Sequence, residues 1–230
     1  MKPVFSDKAT LILRELLRNP GRKWVVRDFE KELGVGRGWA AKVLAILRGK
    51  GYLKGEARGR AAFAILRNAE DLIREWTRYY DFELNKKYIY YSSDANILPK
   101  IKRFFGQRSK KEVYALSLHT GANLITNFVR TPNVYLYLDP ANFRKICLEL
   151  RQALDLKELK QGGNVYLIDS YYKESVFFAL QKIKGYSVVS SLQLYLDLYH
   201  FPERGREHAE YLARVLKEKG ESFAREAETA

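Results

Sequence analysis

The residues that can do chemistry in this chain are cationic and clustered near its start. Arg37, Gly38, Trp39 and Lys42 follow a Gly34-Val35-Gly36 turn. Arginine and lysine at the opening of a helix can bond guanine edges in a major groove, and a glycine beside them lets the backbone come close. Lys23 and Arg27 stand where a preceding helix begins and can clamp a phosphate, as can the positive end of the helix at Gly36 to Gly38. Lys54, Arg58 and Arg60 flank a GEARGRA tip, where an arginine can sit in or beside a minor groove. The chemistry is polyanion recognition, with double-stranded DNA as the expected partner. Trp39 has two open readings: it stacks on DNA, or it packs in a core or dimer surface with Val43 and Ile46.

The elements that must position these groups follow from spacing. Ser6 caps a helix from Asp7 to about Arg18, with Ala9, Ile12, Leu13, Leu16 and Leu17 on one face. Asn19-Pro20-Gly21 ends it. A second helix spans Val26 to Leu33 and a third Arg37 to about Lys50, the latter burying Ala40, Val43, Leu44 and Leu47 and stopped by Gly51. Strand-like Tyr52-Leu53-Lys54 and Ala62 to Leu66 then form a hairpin. Helix, helix, turn, helix and wing together predict a winged helix-turn-helix over 1–66. A helical connector over 67–81 carries Leu72, Ile73 and Trp76 on one side.

Beyond it the pattern alternates strands and helices, so the fold class expected is α+β, with a larger mixed α/β domain over 82–220 and a frayed tail over 221–230. Strands are expected at Val113–Leu118, Val134–Leu138, Val165–Ile168, Ser175–Leu180 and Ser187–Val189. A short segment follows at Gly121–Phe128, and helices are expected at Ala141–Leu154, Ser191–Tyr199 and Arg204–Lys219.

Charge supports the partner. The chain carries 41 Lys and Arg against 27 Asp and Glu, a net charge of +14. Residues 1–66 hold 15 basic and 6 acidic side chains, a net +9, which leaves +5 for everything after. Such an excess attracts polyanions over about a Debye length, about 8 to 10 Å. With 47% hydrophobic residues the chain can build packed cores. A single Cys147 excludes an intramolecular disulfide, and no Cys/His spacing reads as zinc. The N-terminal apolar stretch is broken by Arg14 and Glu15, and nothing approaches the roughly 18 uncharged residues of a membrane span, so the expectation is a cytoplasmic protein without signal peptide or membrane contact.

Catalysis has thin support. Asp139-Pro140 with Glu158-Leu159-Lys160 loosely matches the acids and lysine of restriction-like nucleases, but Glu158 reads as a helix end. Asp169, Glu174 and Asp197 and the three histidines, His119, His200 and His208, read as scattered surface groups. Gly34, Gly36 and Gly38 belong to a turn, not a nucleotide fingerprint. No enzyme, cofactor or metal is expected; the alternatives are a nuclease targeted by the winged helix and a protein-interaction subunit.

Near the C-terminus, residues 186–212 read YSVVSSLQLYLDLYHFPERGREHAEYL. A strand leads into a helix carrying Gln193, Leu194, Tyr195, Leu196, Asp197 and Leu198, then a turn and helix with Pro202, Arg204, Gly205, Glu207 and Ala209. This stretch resembles the closing segment of AbiEi-type antitoxins of type IV toxin-antitoxin systems. The resemblance implies an N-terminal domain that binds operator repeats and represses its own operon, and a C-terminal domain that opposes a nucleotidyltransferase-like toxin. It also implies a cognate toxin as partner, and the small size of one DNA-binding module adds a homodimer. Physically, Leu192, Tyr195, Leu196 and Tyr199 should form one apolar face, Ala209, Leu212, Ala213 and Leu216 another, and Asp197 should pair with Arg204.

Overall fold

The computed structural model of the chain describes residues 3–57, 59, 62–108, 114–159, 162–221 and 223. It divides into two compact units, Met1–Tyr80 with Leu216–Ala230, and Asp81–Val215.

In the first unit a 3-10 turn, Pro3–Phe5, leads into α1 (Asp7–Arg18), with Ser6 at the N-cap in extended conformation but without a side-chain capping bond. Ala9, Ile12, Leu13, Leu16 and Leu17 are all buried, the apolar stripe that the helical spacing demands. Each such leucine or isoleucine contributes ~1.5–3 kcal/mol over its exposed state. Asn19 closes the helix by donating Nδ2 to Glu15 Oε1 at 2.7 Å. α2 (Val26–Leu33) is held at its start by Asp28, whose carboxylate accepts from the Val25 N–H at 2.9 Å. Gly34 ends α2 in the left-handed region, φ 65°, where a side chain would strain. α3 (Arg37–Gly49) follows at once and packs Ala40, Val43, Leu44 and Leu47 inward.

Two short strands, β1 (Leu53–Lys54) and β2 (Ile65–Leu66), pair antiparallel with Leu53 opposite Leu66. A third member of this ladder is not legible in the sequence: between α1 and α2, Trp24 exchanges backbone hydrogen bonds with Ala64 at 2.8 and 2.7 Å. Arg48 of α3 donates Nη2 to the carbonyls of Phe63 at 2.6 Å and Glu56 at 3.1 Å, fastening the base of the hairpin to the helix. α4 (Ala69–Thr77) buries Leu72 and Trp76. Its Glu75 accepts from Lys50 Nζ at 2.7 Å and from the Tyr52 hydroxyl at 2.5 Å. Burial and that carboxylate push the Tyr52 hydroxyl up to about 12.

The second unit is built on a seven-stranded mixed sheet. In chain order its elements are β3 (Lys86–Tyr91), α5 (Ile97–Gly106), β4 (Tyr114–Leu116), α6 (Leu118–Thr126), β5 (Val134–Leu138), α7 (Phe143–Ala153), β6 (Lys157–Glu158), β7 (Val165–Asp169), β8 (Gln181–Ile183), β9 (Tyr186–Val188), α8 (Ser191–Tyr199) and α9 (Gly205–Glu218), of which the residues after Val215 are counted with the first unit. The strand order is β6-β3-β7-β5-β4-β9-β8, with β5–β7 and β4–β9 parallel and the other pairs antiparallel. The protein is therefore α+β. Alternate residues address opposite faces. Tyr88 meets Phe143 and Tyr90 meets Cys147, while Tyr114 stacks on Phe105, so α5 and α7 cover one face. Tyr137 reaches Asp197 of α8 from the other face, and Tyr135 meets Phe201.

Several expectations change. Residues 175–180 do not form a strand: Ser175–Phe177 is a 3-10 turn and Ala179 has φ 54°, which breaks extension. A short apolar, aromatic run fits a buried turn as well as a strand, and here it buries Ser175 and Val176. Glu158, expected at a helix end, lies in edge strand β6. β3, α5 and β8 were not anticipated. Val113, Lys160 and Gln161 lie outside the described residues.

Candidate nucleic-acid interface

α3 has its core-facing residues on one side, which leaves Gly38, Ala41, Lys42, Ala45 and Gly49 exposed on the other. Over three turns Lys42 is the only one of these five with a side chain longer than a methyl group. The fold does not require this bareness at Gly38: a Cβ added there would have nothing within 4 Å. A helix face reduced to glycine, alanine and one lysine suits close approach by another surface.

The cations border this face. Arg37 is exposed and donates Nε to Glu30 Oε2 at 2.6 Å. Lys42 is exposed, its Nζ 5.6 Å from the Trp39 ring centroid. Lys23 is exposed with Nζ 5.1 Å from the ring centroid of Phe63 in the hairpin, and Arg27 and Lys54 are exposed on α2 and β1. Arg22, next to Lys23, is committed elsewhere: it stacks 3.7 Å over Trp24 and its guanidinium is bonded to Glu32, which raises it further above its ordinary value. Arg58 and Arg60, singled out at the hairpin tip, lie outside the described residues. Trp39 is half-buried, and its indole N–H is shielded from solvent without a hydrogen-bond partner among the described residues.

The C-terminal motif resolves into a buried polar node. Asp197 is fully buried on α8 and accepts from Gln193 Nε2 at 2.6 Å, from the Tyr137 hydroxyl at 3.1 Å to each oxygen, and from Ser117 Oγ. The expected Asp197–Arg204 pair does not form: Arg204 instead pairs with Glu207 at 2.8 Å on the surface. An unsatisfied buried carboxylate is expensive, so the node recruits three donors from α8 and two strand ends rather than one cation across a turn. α8 is correspondingly buried nearly all round, and Tyr195 and Tyr199 are on its half-exposed side rather than in its core stripe. Gly205 is required by the turn, because a Cβ there would sit 2.5 Å from the Leu198 carbonyl.

Two of the histidines assigned to the surface are instead buried and together. His119 of α6 and His208 of α9 stack with an interplanar angle of 8° and Nδ1 to Nδ1 at 2.8 Å. His119 Nε2 meets the Glu203 carbonyl at 3.1 Å and His208 Nε2 meets Thr126 Oγ1 at 2.7 Å. Burial lowers both, His208 to about 4, with the neighbouring ring and Arg204 adding to the effect. The two rings are 89 positions apart in the chain, a separation that local spacing cannot pair.

Among the described residues no group of three or more His, Cys, Asp or Glu is placed to hold a metal ion. Glu158 pairs with Arg151 at 3.1 Å, and Asp169 with Lys173. No helix among the described residues is long and apolar enough to cross a membrane.

Comparison with protein families returned one match, the family described as transcriptional regulator, AbiEi antitoxin, type IV toxin-antitoxin system, over residues 65–217. Neither curated proteins nor solved structures gave a match. The matched residues begin in β2 and run through α4 and the sheet to the end of α9; α1, α2 and α3 precede them. They make up more than half of the chain. On that match the chain belongs to the AbiEi antitoxin family of transcriptional regulators.

Proposed function

We propose that the first unit is a winged helix-turn-helix with which this antitoxin binds double-stranded DNA and represses its own operon. The observation that carries the reading is the bare outward face of α3, bordered by Arg37 and Lys42. α3 enters the major groove, Arg37 and Lys42 address guanine edges, and Lys23 and Arg27 hold phosphates on either side. The hairpin follows with Lys54 along the backbone, and Arg58 and Arg60, which lie outside the described residues, add to its positive charge. One such module covers a small area, about 600–1,000 Å², so tight binding uses two copies, as a homodimer or on repeated sites. Each phosphate neutralised releases counterions, and affinity falls steeply with salt. A cognate toxin is the partner opposed by the second unit.

A reporter driven by the protein's own upstream region tests this. Wild-type protein represses it, and the double variant Arg37→Ala, Lys42→Ala releases repression at equal protein level. Equal repression by the two proteins overturns the reading.

A further inference from the structure

We propose that the groove between α3 and the hairpin is a thymine-reading site: it seats C5 methyl groups of thymines in the major groove, so the bound sequence carries A·T pairs where Ala41 and Ala45 meet base edges. The inference rests on the DNA-binding reading above and adds which bases that surface selects.

The groove has a volume of about 350 Å³ and is lined by Val25, Ala41, Ala45, Ala57, Ala62 and Phe63. None of these six side chains can donate or accept a hydrogen bond. Val25 is 39% exposed, and Ala41, Ala45 and Ala57 are exposed as well, so an apolar floor lies open to solvent. The one charged side chain that lines the groove, Arg48, is held through Nη2 by the carbonyls of Phe63 and Glu56 and serves the hairpin.

What covers this floor is selected by its rim. Lys23 lies over Phe63 at one side, Lys42 stands one residue from Ala41, and Arg37 and Lys54 lie on the flanking elements. The acids nearby are few and two are occupied: Asp28 caps the Val25 N–H and Glu30 holds Arg37, leaving exposed Glu56. An apolar floor inside a cationic rim fits a partner that is anionic at its edges and apolar in one spot. Duplex DNA has that character in its major groove only at thymine, whose methyl group is the single apolar feature on a base-pair edge. Alanine at two successive turns of α3 allows the helix to come near enough for those methyl groups to be buried.

The test is an affinity comparison on full-length protein with the duplex from its own upstream region and the same duplex carrying deoxyuridine for thymidine, which removes only the methyl groups. The account predicts binding weaker by about fourfold for each seated methyl, an unchanged salt dependence because phosphate contacts are untouched, and a scan of single replacements that localises the loss to a few adjacent positions. The double variant Ala41→Gly, Ala45→Gly should lose the distinction between the duplexes. Ala45→Ser, which costs less helix propensity than Ala45→Gly, should weaken binding to the thymidine duplex more than to the deoxyuridine one. Sequence-dependent binding that is equal for the two duplexes overturns the inference and leaves the DNA reading standing. Binding to neither duplex removes both.

Discussion

Arg37, at the first position of α3, is tied to Glu30 of α2 by a 2.6 Å bond from Nε to Oε2, with both side chains largely open to solvent. Such an exposed pair is worth only ~0.2–1 kcal/mol, so DNA can displace it readily. It also pre-positions the guanidinium beside Gly38, at the edge of the bare face. Glu30→Gln is therefore expected to tighten DNA binding by up to about fivefold, through loss of a competing partner and of a charge that repels phosphate. Arg37→Ala should weaken it by tenfold or more, in keeping with the ~1–3 kcal/mol of a base contact. Titrations at one fixed salt concentration check both, and a Glu30→Gln variant that binds more weakly would show that the pair is part of the bound state.

Gly38 separates function from folding. A Cβ there meets nothing within 4 Å and the position is helical, so Gly38→Leu should hold or raise thermal stability, by ~0.5–1 kcal/mol of helix propensity. The same change puts a branched side chain on the face proposed to approach DNA and should reduce affinity at least tenfold. Calorimetry and a binding titration on one sample distinguish the two effects.

Asp197 concerns stability alone. Replacing it with alanine leaves Ser117, Tyr137 and Gln193 donors without their shared acceptor in a buried site. Hydrogen bonds to a charged group are worth ~1.5–3 kcal/mol each in mutational series, and the expected loss is ~3 kcal/mol or more. For a chain of this size ~1 kcal/mol shifts Tm by ~2–4 °C, so Asp197→Ala should lower it by roughly 6 °C or more. Asp197→Asn, which keeps an acceptor oxygen, should lose less.

The buried pair His119 and His208 sets a pH dependence. Both are held below their ordinary value of 6.5, His208 at about 4. Between those pH values the unfolded chain takes up protons that the folded chain refuses. Stability is therefore full above pH 6.5 and falls as the pH drops below it, and the His208 contribution stops falling below about 4. The slope reaches at most ~1.4 kcal/mol per pH unit for each group. Urea midpoints at pH 7.5, 6 and 5 should decline for the wild type and decline less for His208→Gln; equal slopes would dismiss the pair as the cause.

What the sequence made legible was what local periodicity and punctuation encode. α2 and α3 are readable because Asn19-Pro20-Gly21, Gly34 and Gly51 mark their limits and their apolar residues recur at helical spacing. The outward cations of α3 follow from that register. Pairings distant along the chain were not readable. Trp24 joins the hairpin through one residue on either side, too little to leave a pattern. Asp197 was matched to Arg204, its neighbour in sequence, whereas Ser117 and Tyr137 lie 80 and 60 positions away. His119 and His208, 89 positions apart, looked solitary for the same reason. β3, with the sequence KKYIYY, mixes lysines and contiguous aromatics and shows no clean alternation, because tyrosines serve both faces of a sheet covered on each side. β6 and β8 are two and three residues long, too short for periodicity to register.

Operator binding by the first unit is decided by a fluorescence-anisotropy titration of the full-length protein with duplex DNA from its own upstream region and with a scrambled duplex of the same composition, at low and moderate salt. The account predicts tight binding to the first duplex, much weaker binding to the second, a steep loss of affinity with salt, and loss of the preference in Arg37→Ala. Equal affinity for both duplexes, or no binding at either salt, would contradict it.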